Sequence, residues 1–261
     1  MLHLTRRQDA IVDRFRRAAR RAPSEPCVLL DGDHLIRDAI ASGVVLDVVI
    51  GTRDRWALCA DLAAQLRASE HPVALYEAAP TVLDAASPVK TPTGIAALAR
   101  WQPANIEDTF TGGTPLAVAA VDVQDPGNFG AIVRSGDALG ATGVISAGAS
   151  ADPAGWKALR GSMGSAFRLP VARATLETTL AAARSAGAKI YAAAADGIAV
   201  DKCDLRGPTL LLLGSEGQGL PDSAIEESNE RIAIPMRGPI NSLNVAVTAA
   251  LLLYEARRQR A

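Results

Sequence analysis

The chain is poor in the residues that most often carry metal, redox or membrane chemistry. Its three cysteines, Cys27, Cys59 and Cys203, lie far apart in 261 residues and form no C-x-x-C pair. A zinc knuckle and a disulfide framework are thereby excluded. The three histidines, His3, His34 and His71, all fall in the first part of the chain, so no metal site is expected. Aromatic residues make up only 4%. Alanine, valine and leucine carry the apolar content instead, which suits helices packed on a parallel sheet better than an antiparallel sandwich. No apolar run approaches the roughly 18 residues of a membrane span. The arginine-rich N-terminus has no apolar segment behind it, which excludes a secretory signal and makes the cytoplasm the expected compartment.

What is present is a large apolar fraction, 49%, with 21% charged residues and a net charge of −1. That supports a sizeable core in one or two α/β domains. The charge is unevenly spread. Arg6, Arg7, Arg14, Arg16, Arg17, Arg20 and Arg21 crowd the first 21 residues, opposed only by Asp9 and Asp13. Such a cluster is either a phosphate-binding patch or a solvated helix face.

Thr5-Arg6-Arg7-Gln8 has the capping-box spacing, and Ile11, Val12 and Phe15 give an apolar stripe, so a basic helix over residues 1–24 is predicted. Strands are expected at Val28–Leu30, Val44–Ile50 and Val73–Tyr76, with helices at His34–Ala41 and Trp56–Ala68. These make a small α/β unit over 25–101. Residues 102–114, with Pro103, Gly112 and Gly113, read as a linker. In the second domain, 115–261, strands are predicted at Leu116–Val123, Gly143–Ile145, Lys189–Ala193, Thr209–Leu213 and Arg231–Ile234. Helices are predicted at Ala131–Leu139, Pro153–Leu159 and Leu176–Ser185. A last helix, from about Leu243 to Arg258, would place Leu243, Ala246, Ala250 and Leu253 on one face. Near-continuous apolar strands between helices indicate a mostly parallel sheet.

Three segments carry chemistry. Asp125-Pro126-Gly127-Asn128-Phe129-Gly130 links a strand to a helix bearing Arg134, where open α/β sheets place ligands. Asn128 can donate and accept, and Arg134 offers a phosphate-binding fork. Gly214-Ser215-Glu216-Gly217-Gln218-Gly219 also follows an apolar strand. Its glycines permit close backbone approach, but their spacing fits neither G-x-G-x-x-G nor a P-loop. Asn241-Ser242-Leu243-Asn244 opens the last helix with ordinary N-cap residues. Pro235-Met236 before it could offer an apolar wall to a flat ring. Taken singly, each segment also reads as a turn or a cap.

Together, Asp125–Gly130 through Arg134, Leu213–Gly217 through Leu220, and Ile234-Pro235-Met236 through Ser242-Leu243-Asn244-Val245 resemble the SpoU/TrmH family of RNA ribose 2′-O-methyltransferases. Arg160-Gly161-Ser162-Met163-Gly164-Ser165 is similar to the family's central segment. Leu30–Ile36 and Thr91–Ala96 look more loosely like its ribosomal-protein-like RNA-binding domain. Asp31 stands where a glutamate is usual, and Ser135-Gly136 where Thr-Ala is common. The resemblance implies an α/β methyltransferase domain with a trefoil knot, a homodimer, and S-adenosylmethionine bound by Leu213, Gly214, Gly217, Ile234, Met236, Ser242 and Leu243. It nominates Arg134 for activating the ribose hydroxyl, with Asn128, Glu216, Ser242 and Asn244 around it, and an RNA surface including Arg6, Arg7, Arg14, Arg17 and Arg160. A guanidinium stays protonated, so Arg134 is better read as organising phosphate and stabilising negative charge than as a base. Ribosomal RNA of the large subunit is the expected substrate. Transfer RNA, a non-catalytic RNA-binding role on the same fold, and a nucleotide-dependent oxidoreductase are the alternatives.

Overall fold

The structure is a computed structural model and describes residues 1–238 and 242–261; Asn241 of the third motif lies outside the described residues. The chain divides into two compact units. One comprises Met1–Gln102 with Ala154–Phe167, the other Pro103–Pro153 with Arg168–Ala261. The segment 154–167, which contains Arg160, therefore belongs to the first unit rather than to a continuous C-terminal domain.

The first unit runs β1 (Leu2–Leu4), α1 (Ala10–Ala19), β2 (Val28–Asp31), α2 (Asp33–Ala41), β3 (Val45–Gly51), α3 (Arg53–Leu58), α4 (Ala60–Arg67), β4 (Ala74–Ala78), α5 (Pro80–Ala86) and β5 (Ile95–Arg100). Its five strands lie in the order β1-β4-β3-β5-β2. β1 and β3 run parallel to β4, while β5 is antiparallel to β2 and β3. The first element is thus a strand and not the expected helix from Thr5. Asp9 caps α1 instead, its carboxylate accepting from the Ile11 amide at 2.9 Å. The single helix expected over 56–68 breaks at Cys59, whose backbone (φ −112°, ψ 41°) leaves the helical region.

Two of the arginines nominated for RNA are engaged within this unit. Arg14 donates to Glu25 at 2.9 Å and to Asp47 at 3.3 Å, and Arg17 pairs with Asp13. The Arg14 guanidinium also holds Glu25 below the usual carboxylate range. Arg14 ties α1 to the sheet rather than facing a ligand, and of the first cluster's nominees only Arg6 and Arg7 stand exposed without such ties among the described residues.

The second unit continues with β6 (Leu116–Val121), α6 (Pro126–Leu139) and β7 (Gly143–Ala147). After α7 (Trp156–Ser162) in the first unit come β8 (Val171–Ala174), α8 (Leu176–Ser185), β9 (Lys189–Ala199), β10 (Thr209–Leu213), α9 (Asp222–Glu226), β11 (Glu230–Ala233) and α10 (Val245–Arg260). Six strands form one parallel sheet in the order β11-β9-β10-β6-β7-β8. β6, β7 and β10 are buried along their whole length, as suits their mostly apolar sequences, with Ser146 and Thr209 buried among them.

The segment read as a linker is part of this unit's core. A 3-10 turn over Ile106–Phe110 buries Thr109 and Phe110, and Thr142 Oγ1 donates to the Thr109 carbonyl at 2.7 Å. Proline and glycine mark its ends, while the apolar turn between them is too short to show a period. In α10 the buried apolar residues are Val245, Ala249, Leu252, Leu253 and Ala256. The face is therefore rotated from the expected one, and Leu243 precedes the helix. The helix end is pinned by Arg260, whose guanidinium donates to the carbonyls of Leu205 at 2.7 Å and Thr114 at 2.9 Å, and by Arg257, which donates to the Ala138 carbonyl.

Candidate functional site

Four neighbouring strands, β11, β9, β10 and β6, end at the same edge of the parallel sheet. Beyond β6 the chain path reverses direction across the sheet, the place where such sheets open a crevice at their carboxyl ends. Two cavities lie there.

The larger, of about 510 Å³, is lined by the chain just after β10 (Leu213–Gly219), by Ala193–Ala195 of β9, by Ile232–Ile234 and Met236 around the end of β11, and by Ser242, Leu243, Val245, Thr248 and Leu252. Its walls are mostly backbone and small or apolar side chains, with Ser215, Glu216, Gln218, Ser242 and Thr248 among them. Met236 and Leu243, 36% and 37% exposed, present apolar surface to it. The loop 215–219 is closed on itself: Ser215 N–H donates to the Gly219 carbonyl at 3.2 Å and Gly219 N–H to the Ser215 carbonyl at 2.9 Å. Gly214 makes this closure possible. A β-carbon there would sit 2.1 Å from the Gly219 carbonyl carbon and 2.3 Å from Leu220 N.

The smaller cavity, of about 500 Å³, is lined by Asp122, Val123, Gln124, Asp125, Asn128, Ala149, Val245 and residues 215–218. The loop after β10 is thus a shared wall. At its centre, Glu216 Oε1 accepts from Asn128 Nδ2 at 2.9 Å, from Asn244 Nδ2, and from the Val245 amide at 3.4 Å. Asn244 Nδ2 also donates to Asn128 Oδ1 at 3.0 Å. The three side chains come from three separate motifs and close into one cluster. Asn244 serves α10 as well, its Oδ1 accepting from Ala246 N at 3.0 Å and Val247 N at 3.3 Å. Asp125 plays the same part for α6, accepting from Asn128 N at 2.7 Å. Caps and site residues are here the same residues.

All seven residues nominated for the cofactor line the larger cavity: Leu213, Gly214, Gly217, Ile234, Met236, Ser242 and Leu243. Asn128, Glu216 and Asn244 are brought together, and Ser242 lies in the wall next to them. Arg134 is not brought in. It is exposed on α6, lines neither cavity, and makes no hydrogen bond or ion pair among the described residues. Arg160 lies in the first unit, 3.6 Å from the buried Asp31 carboxylate. Sequence reasoning missed Asp122, Thr248 and Ala193–Ala195, and gave Gln124 and Gln218 no role of their own. An alanine run at a strand end gives no signal of its own, and Asp122 is distinguished only by its backbone, φ +56°.

The model of the SpoU rRNA Methylase family matches residues 115–254. The 23S rRNA (guanosine(2553)-2′-O)-methyltransferase RlmP of Bacillus subtilis is 30% identical over 232 residues, 88% of either chain. The 23S rRNA (uridine(2479)-2′-O)-methyltransferase of Streptomyces viridochromogenes is 42% identical over 142 residues, 52% of this chain and 50% of that one. The solved structure of an AdoMet-bound rRNA methyltransferase from Sinorhizobium meliloti matches with a TM-score of 0.87 at 27% identity, covering 99% of this chain and 98% of that one.

Proposed function

The chain belongs to the SpoU rRNA methylase family, and we propose that it transfers a methyl group from S-adenosylmethionine to a ribose 2′-hydroxyl of 23S ribosomal RNA. The observation that carries this reading is the pair of cavities sharing the 215–218 wall. One is walled mostly by backbone and small or apolar residues, the other carries the Asp122, Asp125, Asn128 and Glu216 side chains, and a donor and an acceptor can meet at the loop between them.

The larger cavity has the volume of a nucleoside-cofactor site and combines apolar side chains with backbone and polar groups. In this reading Met236, Ile234 and Leu243 flank the adenine, and the backbone of Leu213–Gly217 with Ser242 holds the polar parts. The bound cofactor supplies a methyl group on a positively charged sulfur. The chain's own residues orient the acceptor. Glu216, locked by Asn128 and Asn244, fixes the shared wall, so the ribose enters a site that needs no rearrangement. Arg134 binds an RNA phosphate and stabilises negative charge developing on the 2′-oxygen. Being permanently protonated, it passes the proton's removal to another group, which this reading assigns to an RNA phosphate oxygen.

Arg134 lies outside both cavities in the single chain, so the reading includes a homodimer that completes the site. Val247, Leu251 and Tyr254 support it, forming an exposed apolar stripe along α10 at 41–60% exposure. A trefoil knot in the second unit belongs to the same reading, as do Arg6, Arg7 and Arg160 as RNA contacts. No helix among the described residues is long and apolar enough to cross a membrane, and a ribosomal RNA substrate sets the reaction in the cytoplasm.

Calorimetric titration with S-adenosylmethionine, followed by mass spectrometry of 23S rRNA and transfer RNA transcripts after incubation, tests the proposal. Saturable binding near one site per chain and 2′-O-methylation of the 23S transcript are expected. Methylation of transfer RNA alone would overturn the substrate, and cofactor binding without methylation of either would overturn the reaction.

A further inference from the structure

The smaller cavity contains a residue that neither cofactor binding nor the Asn128–Glu216–Asn244 cluster uses. Asp122 follows β6 with φ +56°, in the left-handed region that side chains seldom occupy. Aspartate tolerates it better than most residues, yet it carries a strain cost, and such strain persists only where surrounding structure enforces it. Here it is enforced. Asp122 Oδ1 accepts from the Ala149 amide at 2.7 Å. The facing residue is Gly148, itself at φ +63°, where any β-carbon would lie 2.5 Å from that same oxygen. Val123 N donates to Ser150 Oγ at 2.8 Å and Ala151 N to the Val123 carbonyl at 2.9 Å, which fixes the turn 148–151 against this strand end. The backbone thus holds one carboxylate oxygen, while Asp122 Oδ2 makes no hydrogen bond among the described residues.

The cavity's other polar groups narrow what could enter. No lysine or arginine lines it. Asp125 Oδ1 caps α6 and Glu216 Oε1 takes three donors, so Asp122 is the carboxylate of this cavity that serves neither a helix cap nor the Asn128–Asn244 cluster. A phosphate would find carboxylates and no cation, so the part of a nucleotide that fits is the base with its ribose. An ionised carboxylate can only accept hydrogen bonds. Among the four bases, guanine alone offers two adjacent donors on its pairing edge, the ring N1–H and the exocyclic N2 amine. Adenine and cytosine offer an amine beside an acceptor, and uracil one N–H flanked by two carbonyls, which a carboxylate repels.

We propose that Asp122 is the residue that selects the target base, and that the base it selects is guanine. This rests on the methyltransferase reading and deepens it. Kinship leaves the base open, since one of the relatives named above acts on guanosine and another on uridine.

The test uses the full-length protein, S-adenosylmethionine and an unmodified 23S rRNA transcript, with nuclease digestion and mass spectrometry of the methylated nucleosides. The wild type is expected to give 2′-O-methylguanosine. In Asp122→Asn the amide oxygen can still accept from Ala149, but an N–H₂ replaces the second acceptor. Its kcat/KM on the guanosine target should fall about tenfold or more, within what a bidentate base contact discriminates. Cofactor affinity should be unchanged, because Asp122 does not line the larger cavity. Asp122→Gly, which accepts the positive φ without strain, should show the same loss and guards against a folding defect. A product other than 2′-O-methylguanosine would overturn the base assignment and leave the methyltransferase reading standing. Wild-type rates in both variants would overturn the role of Asp122. No ribose methylation of 23S or transfer RNA would overturn both readings together.

Discussion

Replacing Gly214 by alanine adds one methyl group at the tightest point of the larger cavity. The new β-carbon would meet the Gly219 carbonyl carbon at 2.1 Å, its oxygen at 2.3 Å and Leu220 N at 2.3 Å. All three are backbone atoms and cannot rotate away. Ordinary contact begins near 3.4 Å, so the Gly219–Leu220 strand of the loop must retreat by more than an ångström. A shift of that size opens both Ser215–Gly219 hydrogen bonds. At about 1 kcal/mol net each, the loop loses about 2 kcal/mol. A unit of this size should then melt about 4–8 °C lower. The displaced residues form much of the cavity wall, so S-adenosylmethionine should bind at least about tenfold more weakly, or about 1.4 kcal/mol. Calorimetry with S-adenosylmethionine and S-adenosylhomocysteine reads the affinity, and a thermal scan reads the stability. Gly217→Ala is the control in the same loop: its β-carbon would meet nothing within 4 Å, and Gly217 has no positive φ. It should stay within about 0.5 kcal/mol of wild type in stability. Wild-type affinity and melting in Gly214→Ala would refute the reasoning, because the loop would then not be held by the close backbone approach.

Arg134→Ala should abolish methyl transfer while leaving cofactor affinity within about twofold by calorimetry, since a residue outside the cavity wall contributes little to uniform binding; wild-type turnover would remove it from the mechanism. Changing Arg6 and Arg7 together to alanine should weaken RNA binding and lower the magnitude of the salt slope by about one for each phosphate no longer neutralised, measured by filter binding across a salt series; an unchanged affinity and slope would make the pair a solvated surface. Deleting residues 1–22 is a poorer experiment, because it also removes the buried Val12, Phe15 and Ala18 and the Arg14–Glu25 pair. Asp31 supplies a pH test. Burial pushes its carboxyl up, against the opposing pull of Arg160. A carboxyl raised in the folded state favours folding below its unfolded pKa, and that contribution is lost as pH rises through the folded pKa. Asp31→Asn should therefore melt higher than wild type at neutral pH, with the gap closing on acidification; a gap constant from pH 3 to 7 would show that the buried charge costs nothing.

The parallel sheet was legible where a strand is buried on both faces and reads as an apolar run, as in Leu116–Val121 and Leu210–Leu213. The polar loops were legible because small polar residues and glycines follow those runs directly. Their convergence was not, since Asn128 and Glu216 are 88 residues apart and Asn128 and Asn244 are 116 apart. Only the resemblance of three ordered motifs joined them. Where local pattern alone was available, tertiary partners overrode it. Leu2–Leu4 became a strand because β4 pairs with it. Arg14 turned inward because Glu25 and Asp47 await it there. The segment 103–114 carries loop punctuation but supplies Phe110 to the core. α10 shows a third case, since apolar residues surround much of it and period alone could not choose which face α6 and the sheet would cover. Asp122 left no trace in the sequence, because a backbone angle is decided by neighbours such as Ala149 and Gly148.

The division of labour at the sheet edge follows from these constraints. A cavity built from backbone and apolar side chains depends on chain path, so its sensitive residue is the one that allows two strands of loop to touch, Gly214. A cavity built from side chains depends on hydrogen-bonding identity, so its sensitive residues are Asn128, Glu216, Asn244 and Asp122. The loop 215–218 belongs to both. Glu216 sits in that loop and accepts from Asn128 on α6 and from Asn244 and Val245 at the start of α10, so displacing the loop must disturb the polar cluster as well. Asp122 is held from the opposite side, by the 148–151 turn. Changes at Gly214 should accordingly impair cofactor binding and turnover together, whereas changes at Asp122 should alter which nucleoside reacts and spare the cofactor. Two positions in one crevice are separable because they are anchored to different elements.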